Sequence, residues 1–268
     1  MSGESRSSVM RMLRLTKHPG RLYDKATSKL PPALAGGVDF LARPSLRSSL
    51  DGPMNGQQAR RRIVEQIFEK VPIEAIVETG TFRGSSTEYF ADRFGVPVHT
   101  VESHPRYFTY SRLRFKNNRS VHVSYGDSRA FLRSLAGEVS FPRRGVFFYL
   151  DAHWGRDLPL QDELSLIFEE WSDAVILIDD FQVHDDAGYG FDDYGPGRRL
   201  CIDYLPERAW SEYVALYPAM PSREETGKRR GCIVLVANGL QHLVPELTEL
   251  RHVDPSELER IDHPLFPA

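Results

Sequence analysis

Cysteine is scarce: only Cys201 and Cys232 occur in 268 residues, without Cys-x-x-Cys spacing. That excludes a disulfide-rich scaffold, and two isolated thiols suit a reducing compartment, with a single bridge left open. Long apolar runs are missing too. None approaches the roughly 20 residues a bilayer span needs, and the N-terminus lacks the continuous apolar stretch of a secretory signal. The expected location is cytoplasmic. No internal repeat is visible, so a solenoid or propeller is not expected. Net charge is small, −3, but unevenly spread. Residues 1–49 hold nine Lys/Arg against three Asp/Glu, which leaves the rest of the chain distinctly acidic. An acidic body argues against general nucleic-acid binding, which needs a basic face against phosphates.

What the chain does have is an ordinary globular composition, 41% apolar and 26% charged, and length for one well-cored domain with appendages. Residues 1–20 set Val9, Met10, Met12, Leu13 and Leu15 among arginines and a lysine. Two readings stand for them, a packed N-terminal helix and an amphipathic helix touching anionic lipid. Pro31, Pro32, Gly36, Gly37 and Pro44 then predict an irregular connector. The expected division is a basic extension over 1–55, one folded domain over 56–240, and a C-terminal helix and tail over 241–268, with the helix in residues 243–252. Within the domain, residues 57–70 read as a helix with Ile63, Val64, Ile67 and Phe68 on one face. Strands and helices then alternate. Near-continuous apolar strands such as VFFYL and AVILI belong to a parallel sheet buried on both faces, so the expected fold is a doubly wound α/β domain. Residues 210–219 and 229–238 break the alternation and predict an antiparallel strand pair.

The most informative run is IVETGTFRGSST. It predicts a strand ending near Glu78, then a turn with Gly80 and Gly84. Eighteen residues beyond Gly84 a second strand ends on Glu102. A glycine turn between strand and helix lets backbone approach a ligand, and an acid at the next strand's end is placed for two ribose hydroxyls. The spacing is not the G-x-G-x-x-G of dinucleotide sites. A carboxylate at the strand end would repel a pyrophosphate and suits a cationic amino-acid group, as in S-adenosylmethionine.

On these residues the chain resembles class I S-adenosylmethionine-dependent methyltransferases, from about Gln57 to about Asn238. The resemblance implies that Glu78, Gly80, Thr81, Gly84 and Ser85 border the methionine part of the cofactor and that Glu102 takes the ribose. Asp127 is read two ways, as the cap of the following helix and as a contact near the adenine. The resemblance also implies that the antiparallel pair completes a seven-stranded sheet.

Asp151 and Asp179 each follow a predicted strand at its carboxyl end, the edge where open α/β sheets bind ligands. With Asp180 they form a three-carboxylate cluster, and hard oxygen ligands suit Mg²⁺. Asp-x-His-Trp followed by Asp-Asp is similar to the metal-dependent O-methyltransferases of the catechol type and of the macrolide and polysaccharide sugar type. That likeness implies Asp151, Asp179 and Asp180 as metal ligands. His153 is the candidate general base, with a second rank partner or core residue as its other reading. The catechol type has a lysine just after this run, where this chain has Gly155 and Arg156. Residues 182–199, rich in glycine, acids and aromatics, read as a mobile lid or a solvated loop. The expected activity is Mg²⁺-assisted O-methyl transfer to a sugar or other small polyhydroxylated acceptor, with a homo-oligomer possible. The alternatives are a non-catalytic cofactor-binding module and a relative of the cephalosporin hydroxylase type with other chemistry.

Overall fold

The structure is a computed structural model that describes residues 27–153 and 157–253. The two readings of residues 1–20, and Trp154, Gly155 and Arg156, lie outside the described residues.

Five parallel strands form the centre: β1 (Ala75–Thr79), β2 (Val98–Glu102), β3 (Val121–Tyr125), β4 (Val146–Leu150) and β5 (Val175–Asp179). β1, β4 and β5 are buried at every residue, which is why their sequences read as unbroken apolar runs. Alternation still sorts their side chains between two cores. Ile76, Phe147, Tyr149, Val175 and Leu177 face α2 (Gln58–Lys70) and α3 (Ser85–Phe94) through Ile63, Val64, Ile67 and Phe90. Val77, Phe148, Leu150, Ile176 and Ile178 face α5 (Ser128–Gly137) and α6 (Leu160–Glu170) through Phe131, Leu132, Leu164 and Ile167. Helices on both faces make the expected doubly wound sheet.

After β5 the chain turns antiparallel. β7 (Cys232–Ala237) lies between β5 and β6 (Tyr213–Pro218), as the sequence suggested. The sheet has eight strands rather than seven, in the order β3-β2-β1-β4-β5-β7-β6-β8. The added strand is β8 (Leu250–His252), paired to β6. It corrects the helix expected in residues 243–252. Pro245 sits in a 3₁₀ segment, Asn238–Glu246, where it supplies no amide for an α-helical bond. Leu247 then leaves the turn and the chain extends along β6.

A second correction concerns the connector. Pro32–Ala42 is a helix, α1, with proline in its first turn, where a missing amide costs nothing. α1 packs on α4 (Pro105–Arg114) and is held by Asp39, whose buried carboxylate accepts from Arg106 Nε at 2.6 Å. The two helices meet at Gly36, where an added Cβ would lie 2.1 Å from the Arg106 carbonyl oxygen. Gly37 has open space around it. Gly37→Ala should therefore stabilise the protein by about 0.5–1 kcal/mol through helix propensity, and Gly36→Ala should destabilise it. Urea unfolding midpoints that move in the same direction for both variants would overturn this account of α1 packing.

Candidate functional site

β1 has β2 on one side and β4 on the other, so the crossovers diverge at its carboxyl end. That switch point is where a doubly wound sheet leaves a crevice. Gly80 lies on its floor with φ +90°, and a Cβ there would sit 2.4 Å from the Asp151 carbonyl oxygen. Only glycine lets the two strand ends close so tightly. Gly84, φ +75°, caps α3, with the Phe115 ring against its α-carbon.

Glu78 is buried, and its Oε2 accepts from Thr87 Oγ1 at 2.5 Å and Thr100 Oγ1 at 2.7 Å. Thr81 Oγ1 joins this cluster through Thr100 Oγ1 at 2.6 Å. Burial pushes the Glu78 carboxyl up to about 7, against the two hydroxyl donors. Glu102 at the end of β2 accepts from the Phe82 amide on Oε2 and the His104 amide on Oε1, each at 2.7 Å. Burial raises it as well. Glu102 lines a cavity of about 370 Å³ together with Gly80, Phe82, Tyr107, Asp127 and Asp151. A narrower cavity of about 50 Å³ shares Gly80, Phe82 and Asp151 and adds Asn55, Glu78 and Tyr149. Ser85 lines the narrow cavity. No lysine or arginine lines either cavity among the described residues.

Asp127 caps α5 through the Arg129 and Ala130 amides at 3.0 and 3.2 Å. It also pairs with Arg129, and it borders the large cavity. The cap is thus built into the structure, and the carboxylate still stands at the cavity wall.

The acids after β4 and β5 separate into different roles. Asp179 is fully buried and turned inward: Oδ1 accepts from the Arg60 guanidinium and Oδ2 from the Tyr149 hydroxyl. Burial alone would raise its carboxyl, but Arg60 and Tyr149 bring it below the usual carboxylate range. Arg60 is itself 1% exposed, and it also donates to the Arg230 carbonyl. Asp180, in a left-handed conformation at φ +53°, accepts from Arg230 Nε at 2.6 Å. Burial and the Asp179 charge push its carboxyl up to about 6. Asp151 stays partly exposed and lines both cavities, and burial with the Asp179 charge holds it well above the ordinary range. His153 is 1% exposed, its ring faces the Asp179 backbone, and no side chain among the described residues bonds its nitrogens. Burial lowers its pKa, so the ring is neutral.

Of the three carboxylates expected to hold a cation, Asp151, Asp179 and Asp180, Asp179 is the one already engaged by Arg60 and Tyr149. The donor atoms that do converge belong to Asp151, His153 and Asp180, all within 4.8 Å of one another. An imidazole that no side chain bonds, beside two carboxylates, is a fitting set for a divalent ion.

Residues 182–199 form a fastened strap rather than a loose loop. The Gln182, Asp192 and Leu200 amides donate to Leu200, Asp180 and Asp192 carbonyls at 2.8–3.0 Å. Gly190 and Gly231 add bonds to the segment before β7. The strap brings in Asp192, which accepts from Arg230 and, on Oδ2, from Tyr194 at 2.5 Å.

Arg60, Tyr149 and Arg230 were not anticipated as site residues. For Arg60 a signal existed: it falls three, four and seven residues before Ile63, Val64 and Ile67, on the apolar face of its helix. A charge there implies a buried partner. Arg230 follows from the antiparallel register that sets Cys232 opposite Asp179, which is visible only once that pair is aligned.

No family model matches the chain, and no curated protein matches it. Solved structures do. A protein of Staphylococcus aureus provisionally named a caffeoyl-CoA O-methyltransferase shares 14% identity over 72% of this chain and 91% of its own, with a TM-score of 0.50. The tomaymycin-synthesis O-methyltransferase of Streptomyces achromogenes, solved with S-adenosylmethionine, shares 15% over 78% and 92%, TM-score 0.49. An O-methyltransferase of Bacillus cereus, solved with S-adenosylhomocysteine, shares 16% over 75% and 95%, TM-score 0.47. At such identities the likeness is one of fold: the chain has the Rossmann-like methyltransferase fold.

Two stability outcomes follow from the buried acids. Asp179→Ala strands the Arg60 cation and should cost about 3–5 kcal/mol, read by urea denaturation. A loss under about 1 kcal/mol would show that the pair is not structural. Glu163 on α6 is fully buried, and burial, opposed by the Ser128 and Thr79 hydroxyls, raises it from 4.5 to about 7. The unfolded chain releases this proton at lower pH than the folded one, so stability falls as pH rises from about 4.5 to about 7. The fall amounts to about 3 kcal/mol. Glu163→Gln should flatten the profile in that window, and an unchanged slope would contradict the assignment.

Proposed function

We propose that the chain is an S-adenosylmethionine-dependent O-methyltransferase acting on a hydroxyl of a sugar or other small polyhydroxylated acceptor, assisted by a divalent cation. The carrying observation is the charge of the switch-point cavities. Glu78, Glu102, Asp127, Asp151, Asp157 and Asp179 line them, and among the described residues no lysine or arginine does. Such walls disfavour a pyrophosphate and favour a ligand with a sulfonium and an ammonium.

The Glu102 carboxylate, held by backbone amides, still borders the large cavity and can accept from a ribose hydroxyl. Phe82 and Tyr107, with ring centroids 4.4 Å apart, offer apolar surface beside it. Glu78 and Asn55 lie at the narrow end, suited to the amino-acid part. Bound S-adenosylmethionine supplies an activated methyl group, so the protein's task is to align the acceptor and take its proton. A bound divalent cation would lower the acceptor's pKa and orient it.

Asp151 is the residue placed to receive that proton. It reaches both cavities, and burial with the Asp179 charge raises its carboxyl, which strengthens it as a base. The expected base, His153, is too enclosed to meet an acceptor. Support for a polyhydroxylated acceptor comes from the strap, where Asp192, Tyr194 and Arg230 set carboxylate, hydroxyl and guanidinium groups near Asp180. No helix among the described residues is long and apolar enough to cross a membrane.

Calorimetric titration with S-adenosylmethionine tests the cofactor directly. Wild type should bind in the micromolar range without added metal, and Glu102→Ala should lose at least about tenfold, or about 1.4 kcal/mol. Absence of binding to a folded wild-type protein, with or without a divalent cation, would overturn the reading.

A further inference from the structure

His153 is a buried, neutral donor that neither packing nor the proposed proton transfer uses. Its Nε2 lies 3.9 Å from Asp151 Oδ1, and one atom each from Asp151, His153 and Asp180 falls within a 4.8 Å group. The ring is 1% exposed and faces the Asp179 backbone, and a ring nitrogen left without a partner in the interior is costly. The frame around it is fixed. The Tyr194 hydroxyl lies 2.5 Å from the His153 carbonyl and shares its one proton between it and Asp192, the Asp180 amide donates to Asp179 Oδ1 at 2.8 Å, and the Asp180 carbonyl accepts from the Asp192 amide at 2.9 Å. Arg230 binds Asp180 through Oδ1. Its other oxygen, Oδ2, accepts from no donor among the described residues, so it remains for a cation.

From this geometry we infer that Asp151, His153 and Asp180 form a one-imidazole, two-carboxylate site that takes a first-row transition-metal ion such as Mn²⁺, Fe²⁺ or Zn²⁺ in preference to Mg²⁺. Mg²⁺ selects oxygen and near-ideal octahedral geometry, and it is usually held by carboxylates and water. Imidazole shifts the balance toward iron, nickel and zinc, with manganese accepting both donor types. The three-carboxylate trio read from the sequence would have reversed this preference, and it is Asp179's capture by Arg60 and Tyr149 that removes it. The inference rests on the proposed methyl-transfer site only in placing the ion beside Asp151, where an acceptor oxygen would lie.

The test uses the full chain without acceptor. Mn²⁺ binding is followed by electron paramagnetic resonance, with Mg²⁺ as competitor, on wild type and His153→Asn, which offers an amide oxygen in place of nitrogen. In wild type, bound Mn²⁺ should show nitrogen modulation in the pulsed spectrum and resist a tenfold excess of Mg²⁺, a ratio of about 1.4 kcal/mol. In His153→Asn the modulation should vanish and Mn²⁺ affinity should fall at least about tenfold, the loss seen even for partners one step removed from a metal. Mg²⁺ affinity should hardly change. Wild-type Mn²⁺ without nitrogen modulation, Mn²⁺ affinity unchanged in the variant, or no bound Mn²⁺ at all would each overturn the inference. Should His153→Asn fail to fold, the wild-type spectrum alone decides. S-adenosylmethionine titration of the same sample separates the two readings: intact cofactor binding with no nitrogen-ligated ion sinks only the metal assignment.

Discussion

A single buried cation organises the crest of the sheet. Arg60 enters the core from the first turn of α2 and is shared between Asp179 and the Arg230 carbonyl. Burying a guanidinium and a carboxylate together is costly unless every donor and lone pair is met. Here Tyr149 takes the second Asp179 oxygen, the Asp180 amide shares the first, and Gln57 Nε2 joins Arg60 on the Arg230 carbonyl at 2.8 Å. The α2 end from which Arg60 departs is fixed as well. Its first amides donate to the Glu225 carboxylate at 3.0 and 3.3 Å, where an anion also complements the helix dipole. α2, β4, β5 and the segment before β7 therefore meet at one ion pair.

That pair determines which acids remain available. With Asp179 neutralised from within, Asp180 and Asp192 are drawn to Arg230, and the strap carrying Asp192 is laid across the strand ends. Asp151 has no such counter-ion among the described residues, and burial together with the Asp179 charge raises its carboxyl. The same chemical group thus appears in three electrostatic settings within one cluster: ionised and structural, bridged to the half-buried Arg230, and raised by burial beside another acid. Environment, rather than residue type, assigns the roles.

Much of the fold was legible because buried parallel strands leave a plain trace. AIVET, VFFYL and VILID must be apolar along their length to lie between two helical layers, and each appeared where it was expected. Gly80 and Glu102 were legible for a related reason, since close backbone approach and a strand-end acid have local signatures. Asp179 was not. Its neighbour in sequence is Asp180, but its partner Arg60 lies 119 residues away, and no local pattern reports a pairing across that distance. The backbone bonds of the strap were hidden in the same manner. Its glycines and acids look like a solvated loop until the β5–β7 register supplies backbone partners. α1 and β8 were hidden by prolines, which mark a boundary or a first turn with the same letter.

The turn Pro53–Gly56 has a further meaning for how such a protein diversifies. Met54 and Asn55 both adopt left-handed backbone, Met54 is anchored on Ser86, and the Asn55 carbonyl accepts from the Lys228 amide. Together they roof the narrow cavity from outside the sheet. The unit that folds and the unit that encloses the ligand thus have different borders along the chain. Inherited changes in this short segment can reshape the pocket's inner wall while every strand and crossover keeps its sequence, so ligand preference can drift on a scaffold that does not.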